Sequence, residues 1–211
     1  MRNEDQMSDT FMSRRRFQQL ALSGVAATSI WPQLSLADEL KLNDDGLIYQ
    51  PWFLESFLIL QEDLAEAKAQ DKRFAIFWEL KGCPYCKETH RVNLAKPEIL
   101  NFVKSNFAVL QMNIIGSKIV TDFDGEELSE RNLARKWGVK FTPTIQFFTD
   151  DIVSAKNHSG RKSEVARIPG YFKPNHFDAM FRYVYEKAYE KQKFHEYLKT
   201  KNLVRKKPSI D

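Results

Sequence analysis

The sequence predicts an α/β fold in which helices flank a central mixed β-sheet. Two continuous apolar runs, Arg73–Leu80 and Phe107–Ile115, are typical of central strands that are buried on both faces. Two shorter strands, Thr144–Phe148 and Glu164–Ile168, follow later and precede a long amphipathic helix over Asn175–Leu198. Segments with helical periodicity separate the two long strands, so we expect these strands to pair in parallel through a crossover connection.

The other helices are predicted from apolar side chains that recur every three or four residues. The first pattern starts at Pro51, a residue suited to a first helical turn, and continues to about Ala69. The predicted helices are Pro51–Ala69, Cys83–Ala95, Glu98–Ser105, Glu126–Trp137 and Asn175–Leu198. If the two helices between the long strands are counted as one connection, the resulting order is helix, strand, helix, strand, helix, strand, strand, helix.

The composition fits one compact domain and argues against several kinds of site. The chain has 211 residues and a formal net charge of +4, with acidic and basic side chains interspersed, so we do not expect it to bind nucleic acid. It has two cysteines, whereas a secreted disulfide scaffold has four or more and a structural zinc site needs four ligands. We therefore predict no metal and no cofactor, and the close cysteine pair indicates redox chemistry.

The first 37 residues have the three parts of an export signal. Three arginines precede an apolar stretch over residues 20–30, and Ser-Leu-Ala at 35–37 resembles a cleavage site. The apolar stretch is shorter than the roughly 20 residues that span a membrane, so we expect no stable membrane insertion. Residues 13–17 resemble the twin-arginine signal of bacteria, with departures at 18 and 19, which predicts a periplasmic protein. The alternative is a disordered basic N-terminus.

The redox prediction depends on Cys83 and Cys86, the ends of the tetrad Cys-Pro-Tyr-Cys. Cys83 follows Gly82 at the start of a predicted helix, where the helix dipole and unpaired N–H groups favour a thiolate. Cys83 is therefore the predicted nucleophile. Cys86 lies one turn later on the same side, so it is the predicted resolving thiol and the partner of Cys83 in a redox disulfide. Pro84 fits the first helical turn.

Glu79 is the third predicted catalytic residue. It ends an apolar strand four residues before Cys83, where a buried carboxylate could shuttle the proton of Cys86. The alternative is a strand-end glutamate that faces water or pairs with Lys81. We expect His90 to be a partly buried surface histidine, with stabilisation of a thiolate as the alternative.

Three segments together resemble the thioredoxin superfamily over about residues 50–195: Phe77–Trp78, Cys83–Cys86 and Thr142–Thr144. The predicted order of elements is that of the thioredoxin-like fold. Residues 167–184 are similar to the periplasmic thioredoxin-like proteins associated with bacterial sulfur oxidation, the SoxW type. This resemblance implies a periplasmic protein that acts on disulfides or thiols of partner proteins and that a membrane thiol-electron donor keeps reduced.

The resemblance also implies where a substrate binds. In this fold the residue before a cis-proline lies opposite the two cysteines, so we expect a cis Thr142–Pro143 bond and a Thr142 backbone that pairs with the substrate chain. We expect Pro84 and Tyr85 to complete this substrate-binding surface with Thr142 and Pro143. The alternative is an ordinary trans proline that opens an edge strand.

The predicted organisation is an export signal (1–37), an N-terminal extension (38–50), a thioredoxin-like domain (51–198) and a basic flexible tail (199–211). The function favoured by these features is reduction of disulfides in periplasmic proteins. One alternative is a disulfide-donating oxidase of the DsbA kind. Proteins of that kind carry a large helical insertion, whereas the stretch between Ile115 and Thr142 has room for only one helix. The other is a non-catalytic binding module with a structural disulfide.

Overall fold

The computed structural model describes residues 40–155 and 158–203, and the predicted export signal lies outside them. The helices are α1 (Leu60–Ala69), α2 (Pro84–Glu88), α3 (Pro97–Asn106), α4 (Glu130–Lys136), α5 (Ile152–Ala155), α6 (Gly160–Ser163), α7 (Pro174–Tyr185) and α8 (Phe194–Thr200). The strands are β1 (Arg73–Glu79), β2 (Phe107–Asn113), β3 (Ile119–Thr121), β4 (Glu127–Ser129), β5 (Thr144–Phe148) and β6 (Glu164–Pro169). A π-helical turn at Thr89–Asn93 continues α2, and a 3₁₀ turn lies at Ala188–Glu190. Within the described ranges, no helix is long and apolar enough to cross a membrane.

The central sheet has four strands in the order β2-β1-β5-β6. β1 pairs in parallel with β2 and antiparallel with β5, and β5 pairs antiparallel with β6. All seven residues of β1 are buried, as expected for a central strand with helices on both faces. The predicted mixed sheet flanked by helices, and thus the thioredoxin-like fold, is confirmed.

Hydrophobic clusters cover both faces of the sheet. Side chains alternate along β1, so Ala75 and Phe77 belong to one cluster, while Phe74, Ile76 and Trp78 belong to the other. The first cluster includes buried residues of α3, α7 and α8, and the second includes those of α1 and α4. This packing holds the C-terminal end of β1, where the cysteine motif begins, between two filled layers.

The first predicted helix is shorter than expected, because it begins at Leu60 and not at Pro51. Leu58 has a φ of +62°, in the left-handed region that an α-helix cannot include. Before that residue the chain turns at residues 51–53, and the amide of Leu54 then donates to the carbonyl of Val109 in β2 over 2.8 Å. The segment before α1 is therefore held against β2, the edge strand of the sheet.

The helix predicted over 126–137 begins only at Glu130, because residues 127–129 form the second strand of a small hairpin with β3. The hydroxyl of Ser129 caps the helix by accepting from the amide of Asn132 over 3.4 Å. Glu127 and Leu128 pair with Thr121 and Val120 of β3, so they belong to the hairpin and not to the helix.

The long helix predicted over 175–198 is divided into α7, the 3₁₀ turn and α8. The interruption lies at Lys187, whose φ of +52° is left-handed and whose Nζ pairs with Asp150 at 2.7 Å. α8 continues to Thr200, so the segment predicted as a basic tail starts inside a helix, and residues 204–211 lie outside the described part.

Candidate active site

Cys83 and Cys86 form a disulfide at the junction of β1 and α2, with their Cα atoms 5.3 Å apart. The chain turns between the strand and the helix at Gly82, whose φ of +76° is one that glycine adopts without a steric penalty. Pro84 is the first residue of α2, where its missing N–H leaves no gap in the helical hydrogen bonds. The local sequence thus places the first cysteine at the helix N-cap.

The two sulfurs differ in exposure and in contacts. Cys83 is partly exposed, whereas Cys86 is 3% exposed. The Sγ of Cys83 accepts from the amide of Cys86 over 3.1 Å, as an N-cap side chain does. This geometry suits Cys83 as the accessible sulfur and Cys86 as the buried one.

Tyr85, the middle aromatic residue of the motif, is exposed and stacks on Tyr171 with the ring centroids 6.2 Å apart. Burial, with a smaller contribution from the nearby Glu88 carboxylate, raises the pKa of the Tyr171 hydroxyl. The hydroxyl of Tyr171 donates to Asn93 over 3.3 Å. The stack connects the motif helix to the segment that follows β6.

The Thr142–Pro143 bond is cis, as the sequence analysis expected. The amide of Gly170 donates to the carbonyl of Pro143 over 2.8 Å, and Gly170 precedes the Tyr171 that Tyr85 stacks on. The turn therefore lies at the same end of the sheet as the motif. Within the described ranges, neither the amide nor the carbonyl of Thr142 has a hydrogen-bond partner.

Glu79 is buried, with 1% of its surface exposed, so the alternative of a water-facing glutamate is wrong. It does not pair with Lys81. Its Oε1 lies 2.8 Å from the Nε2 of His90, and its Oε2 accepts from the side-chain amide of Gln111. The expectation of a surface position for His90 is also wrong, since this residue is 2% exposed.

The partners of His90 define where its proton lies. The indole N–H of Trp52 can only donate, and it donates to the Oε1 of Gln50 over 3.2 Å. The amide nitrogen of Gln50 therefore faces the Nδ1 of His90, at 3.0 Å, and Nδ1 must accept. The Nε2 of His90 then carries the proton and donates to Glu79.

The orientation of Gln111 is defined in the same way. Its amide nitrogen donates to the carbonyl of Ile48 over 2.9 Å, and its Oε1 accepts from Asn43 over 3.0 Å. Both oxygens of Glu79 therefore face donors that carry no charge. A carboxylate oxygen has two lone pairs, so each can still accept a further proton or hydrogen bond.

Sequence reasoning missed this polar network, although a signal for part of it exists. The buried residues of the motif helix are Cys86, Thr89, His90 and Asn93, spaced as one helical face. Such a face is apolar in most helices, and a polar one indicates a site. Gln111, in an otherwise apolar strand, is a second signal. Gln50 and Asn43 belong to the segment predicted as an extension and carry no such pattern.

Glu79, Cys83 and Cys86 line one cleft, with a volume of about 550 Å³. In the part of the chain that the structure describes, no cluster of three or more His, Cys, Asp or Glu side chains could hold a metal ion. The arrangement can carry out thiol–disulfide exchange, because an accessible sulfur, its partner and a buried carboxylate share this cleft.

The chain matches one family model and is similar to several solved structures. A family model for a thioredoxin-like domain matches residues 60–185, and no curated protein sequence matches the chain. A thioredoxin-fold protein from Helicobacter pylori is 22% identical, with a TM-score of 0.49, over 63% of this chain and 85% of that chain. The oxidised C-terminal domain of DsbD from Neisseria meningitidis is 17% identical, with a TM-score of 0.44, over 62% of this chain and 96% of that chain. A disulphide isomerase from Xylella fastidiosa is 13% identical, with a TM-score of 0.37, over 74% of this chain and 97% of that chain. Since the family model covers more than half of the sequence, the chain belongs to the thioredoxin-like family.

Proposed function

We propose that this protein is a thiol–disulfide oxidoreductase that is exported to the periplasm and reduces disulfides of partner proteins there. The observation that carries the proposal is the disulfide between the partly exposed Cys83, at a helix N-cap, and the buried Cys86. An accessible sulfur with its partner one helical turn behind it is the arrangement that disulfide exchange requires.

In the proposed reaction, the thiolate of Cys83 attacks one sulfur of a substrate disulfide. The substrate S–S bond breaks, its second sulfur leaves with the electron pair, and a mixed disulfide to Cys83 forms. The thiolate of Cys86 then attacks the Sγ of Cys83 and releases the first substrate sulfur. The substrate is reduced by two electrons, and the Cys83–Cys86 disulfide is the oxidised product.

Glu79 is the proposed acceptor of the proton that Cys86 loses before its attack. It lines the same cleft as both cysteines, and its two oxygens face only neutral donors. His90 is a positioning residue in this scheme, because its Nε2–H holds one oxygen of Glu79 in place. Water in the open cleft can carry the proton between the thiol and the carboxylate.

Thr142 is the proposed site of substrate pairing. Its unpaired amide and carbonyl can bind one residue of an extended chain, as at the edge of a sheet. Pro143 is buried, so it would hold the turn that presents Thr142, while the exposed Pro84 and Tyr85 would form the neighbouring surface.

The location and the electron donor are inferred from sequence. The basic and apolar segments of residues 1–37 support export by a twin-arginine-like signal. The resemblance to the SoxW type supports a membrane thiol-electron donor that returns the pair to the dithiol form. The reducing direction is favoured over an oxidase of the DsbA kind because proteins of that kind carry a large helical insertion. Residues 114–143 of this chain contain only a small hairpin and the seven-residue α4.

The test is mixed-disulfide trapping with Cys86→Ser and Cys83→Ser variants of the full chain. The Cys86→Ser variant should accumulate mixed disulfides with a disulfide-containing protein, because the resolving attack is lost. The Cys83→Ser variant should form few or none. If Cys83→Ser retained full activity, this function would be contradicted. If neither variant trapped a mixed disulfide, the function would also be contradicted, and a structural disulfide in a binding module would take its place.

A further inference from the structure

The cleft beside the disulfide has a wall that the thioredoxin-like domain does not supply. Leu40, Leu42 and Ile48 line it, and all three precede the matched region that begins at residue 60. Leu80 and Pro84 add further apolar surface. A volume of about 550 Å³ is within the range of clefts that bind small ligands or a few residues of a peptide.

This N-terminal wall is held in a defined shape. The Oδ1 of Asn43 accepts from the amides of Asp45 and Leu47 over 3.1 and 3.0 Å, which closes a tight turn. Leu42 pairs with Ile48 across the turn, and Leu47 is buried. Asn43 also donates to Gln111, a partner of Glu79, so the wall is connected to the polar network beneath the cysteines.

The mouth of the cleft is positively charged. Lys81, Lys87 and Arg91 line it, and all three are exposed. Within residues 40–155 and 158–203, none of the three has an ion-pair partner. Among the described residues that line the cleft, Glu79 is the one carboxylate, and it is buried and already accepts from two neutral donors. The nearby Asp45 is paired with Lys118.

We propose that this cleft selects substrates by binding the protein segment next to their reactive cysteine, with preference for aliphatic and acidic side chains. The inference rests on the proposed function. A substrate cysteine joined to Cys83 lies at the wall of the cleft, so its neighbouring residues reach the aliphatic wall and the three cations. Acidic side chains complement unpaired cations, and aliphatic ones lose water against the wall.

The test uses short peptides that each contain one cysteine and are joined as symmetric disulfides. One peptide has leucine and glutamate beside the cysteine, a second has leucine and lysine, and a third has serine and glutamate. The second-order rate constant for reduction by the dithiol form of the full chain is measured by acid quench and thiol alkylation. We expect the leucine–glutamate peptide to react about tenfold faster than the leucine–lysine peptide at low salt, with a smaller ratio at high salt.

Charge selection is assigned to the cleft with the triple variant Lys81→Gln, Lys87→Gln, Arg91→Gln. It should bring the ratio of the two rate constants close to one. The ratio is used because a change in the reactivity of Cys83 affects both peptides equally. The matched control removes the same charge elsewhere with Lys104→Gln, Lys162→Gln and Lys191→Gln, which are all exposed, and should leave the ratio unchanged.

The aliphatic wall is tested with Leu42→Ser, a change at a residue that is 61% exposed. It should reduce the preference for the leucine–glutamate peptide over the serine–glutamate peptide. The proposal would be overturned if the unaltered protein reduced the leucine–glutamate and leucine–lysine peptides at equal rates, or if the triple variant left the ratio of these rates unchanged. It would also be overturned if the unaltered protein reduced the serine–glutamate peptide as fast as the leucine–glutamate peptide. In each of these cases reduction itself continues, so the proposed function stands. If no peptide and no protein disulfide is reduced, the proposed function fails as well.

Discussion

Two buried carboxylates, Glu79 and Asp122, occupy contrasting sites in this molecule. Asp122 is fully buried, and its oxygens accept from the amides of Phe123 and Gly160 and from the indole of Trp137. It also forms an ion pair with Lys136 at 2.7 Å. Glu79 is equally buried, but it has only neutral donors and lines the cleft of the cysteine pair.

The partners of a buried carboxylate thus indicate its role. Burial alone would lower the pKa of the Lys136 ammonium, but its hydrogen bonds to Asp122, Asp124 and Glu126 raise this pKa above its usual range. A carboxylate that is neutralised and enclosed in this way stabilises the fold. One without a cation, beside the Cys83–Cys86 disulfide, suits the proton exchange that we propose for Glu79.

The largest expected effect is on stability, from Asp122→Asn. The new amide group would point an N–H at Trp137 or Lys136, which are both donors, so we expect a loss of about 3 kcal/mol in unfolding free energy. Urea unfolding measures this loss. The control is Asp124→Asn, which removes a more exposed partner of Lys136 and should cost less than about 1 kcal/mol. Equal losses in the two variants would contradict the structural role of Asp122.

Asp63 offers an intermediate case, because it is buried in the first turns of α1 with one neutral donor, Ser56. Burial raises its pKa from 3.8 to about 6. The folded state therefore holds this proton where the unfolded state has lost it, and stability falls as the pH rises from about 4 to about 6. Asp63→Asn should remove this fall. The pKa shift corresponds to about 3 kcal/mol at pH 7.5, and loss of the interaction with the helix N-terminus offsets about 1 kcal/mol, so we expect the variant to be about 2 kcal/mol more stable.

Unfolding free energies of the parent and the Asp63→Asn variant, measured from pH 4 to pH 7.5, test this expectation. The two curves should meet near pH 4 and separate above it. Parallel curves over the whole range would show that Asp63 titrates normally.

The most specific readout is expected from Glu79→Gln. Its new oxygen can accept from His90, but its N–H then faces the amide nitrogen of Gln111, so stability should decrease by about 1 to 2 kcal/mol. Release of the mixed disulfide by Cys86 should slow about tenfold, and its dependence on pH should change, because the proton acceptor is lost. Stopped-flow measurement of this step gives both quantities. Asp122→Asn, assayed where it is folded, should leave the step unchanged, and the opposite pattern would reverse the two roles.

The sheet and the cysteine motif could be predicted from sequence because their signals are local. The run Arg73–Leu80 is continuously apolar, and Cys83 stands next to Pro84, a residue that starts helices, with Cys86 one turn later. The interruptions at Leu58 and Lys187 could not be predicted, because both are non-glycine residues with positive φ that contacts elsewhere in the fold maintain.

The polar network was predictable only in part. Glu79 was identified because it ends an apolar strand beside the motif. Its partner Gln111 lies 32 residues away, and its nearer partner His90, 11 residues away, is held by Gln50, which is 40 residues from His90. Such pairings follow from the way the strands and the N-terminal segment pack, which no local pattern records. For the same reason, the sequence predicts an extension over residues 38–50 and no part of the site there.

The reduction potential of the Cys83–Cys86 pair tests the central claim most directly. The full chain is equilibrated in graded thiol/disulfide buffers, and free thiols are trapped and counted. A reductase of partner proteins should have a value of roughly −270 to −220 mV, in the region of thioredoxin and the glutaredoxins. A value near about −120 mV would indicate an oxidase, and a pair that stays oxidised in every buffer would show that the disulfide is structural. Either of these results would contradict the account.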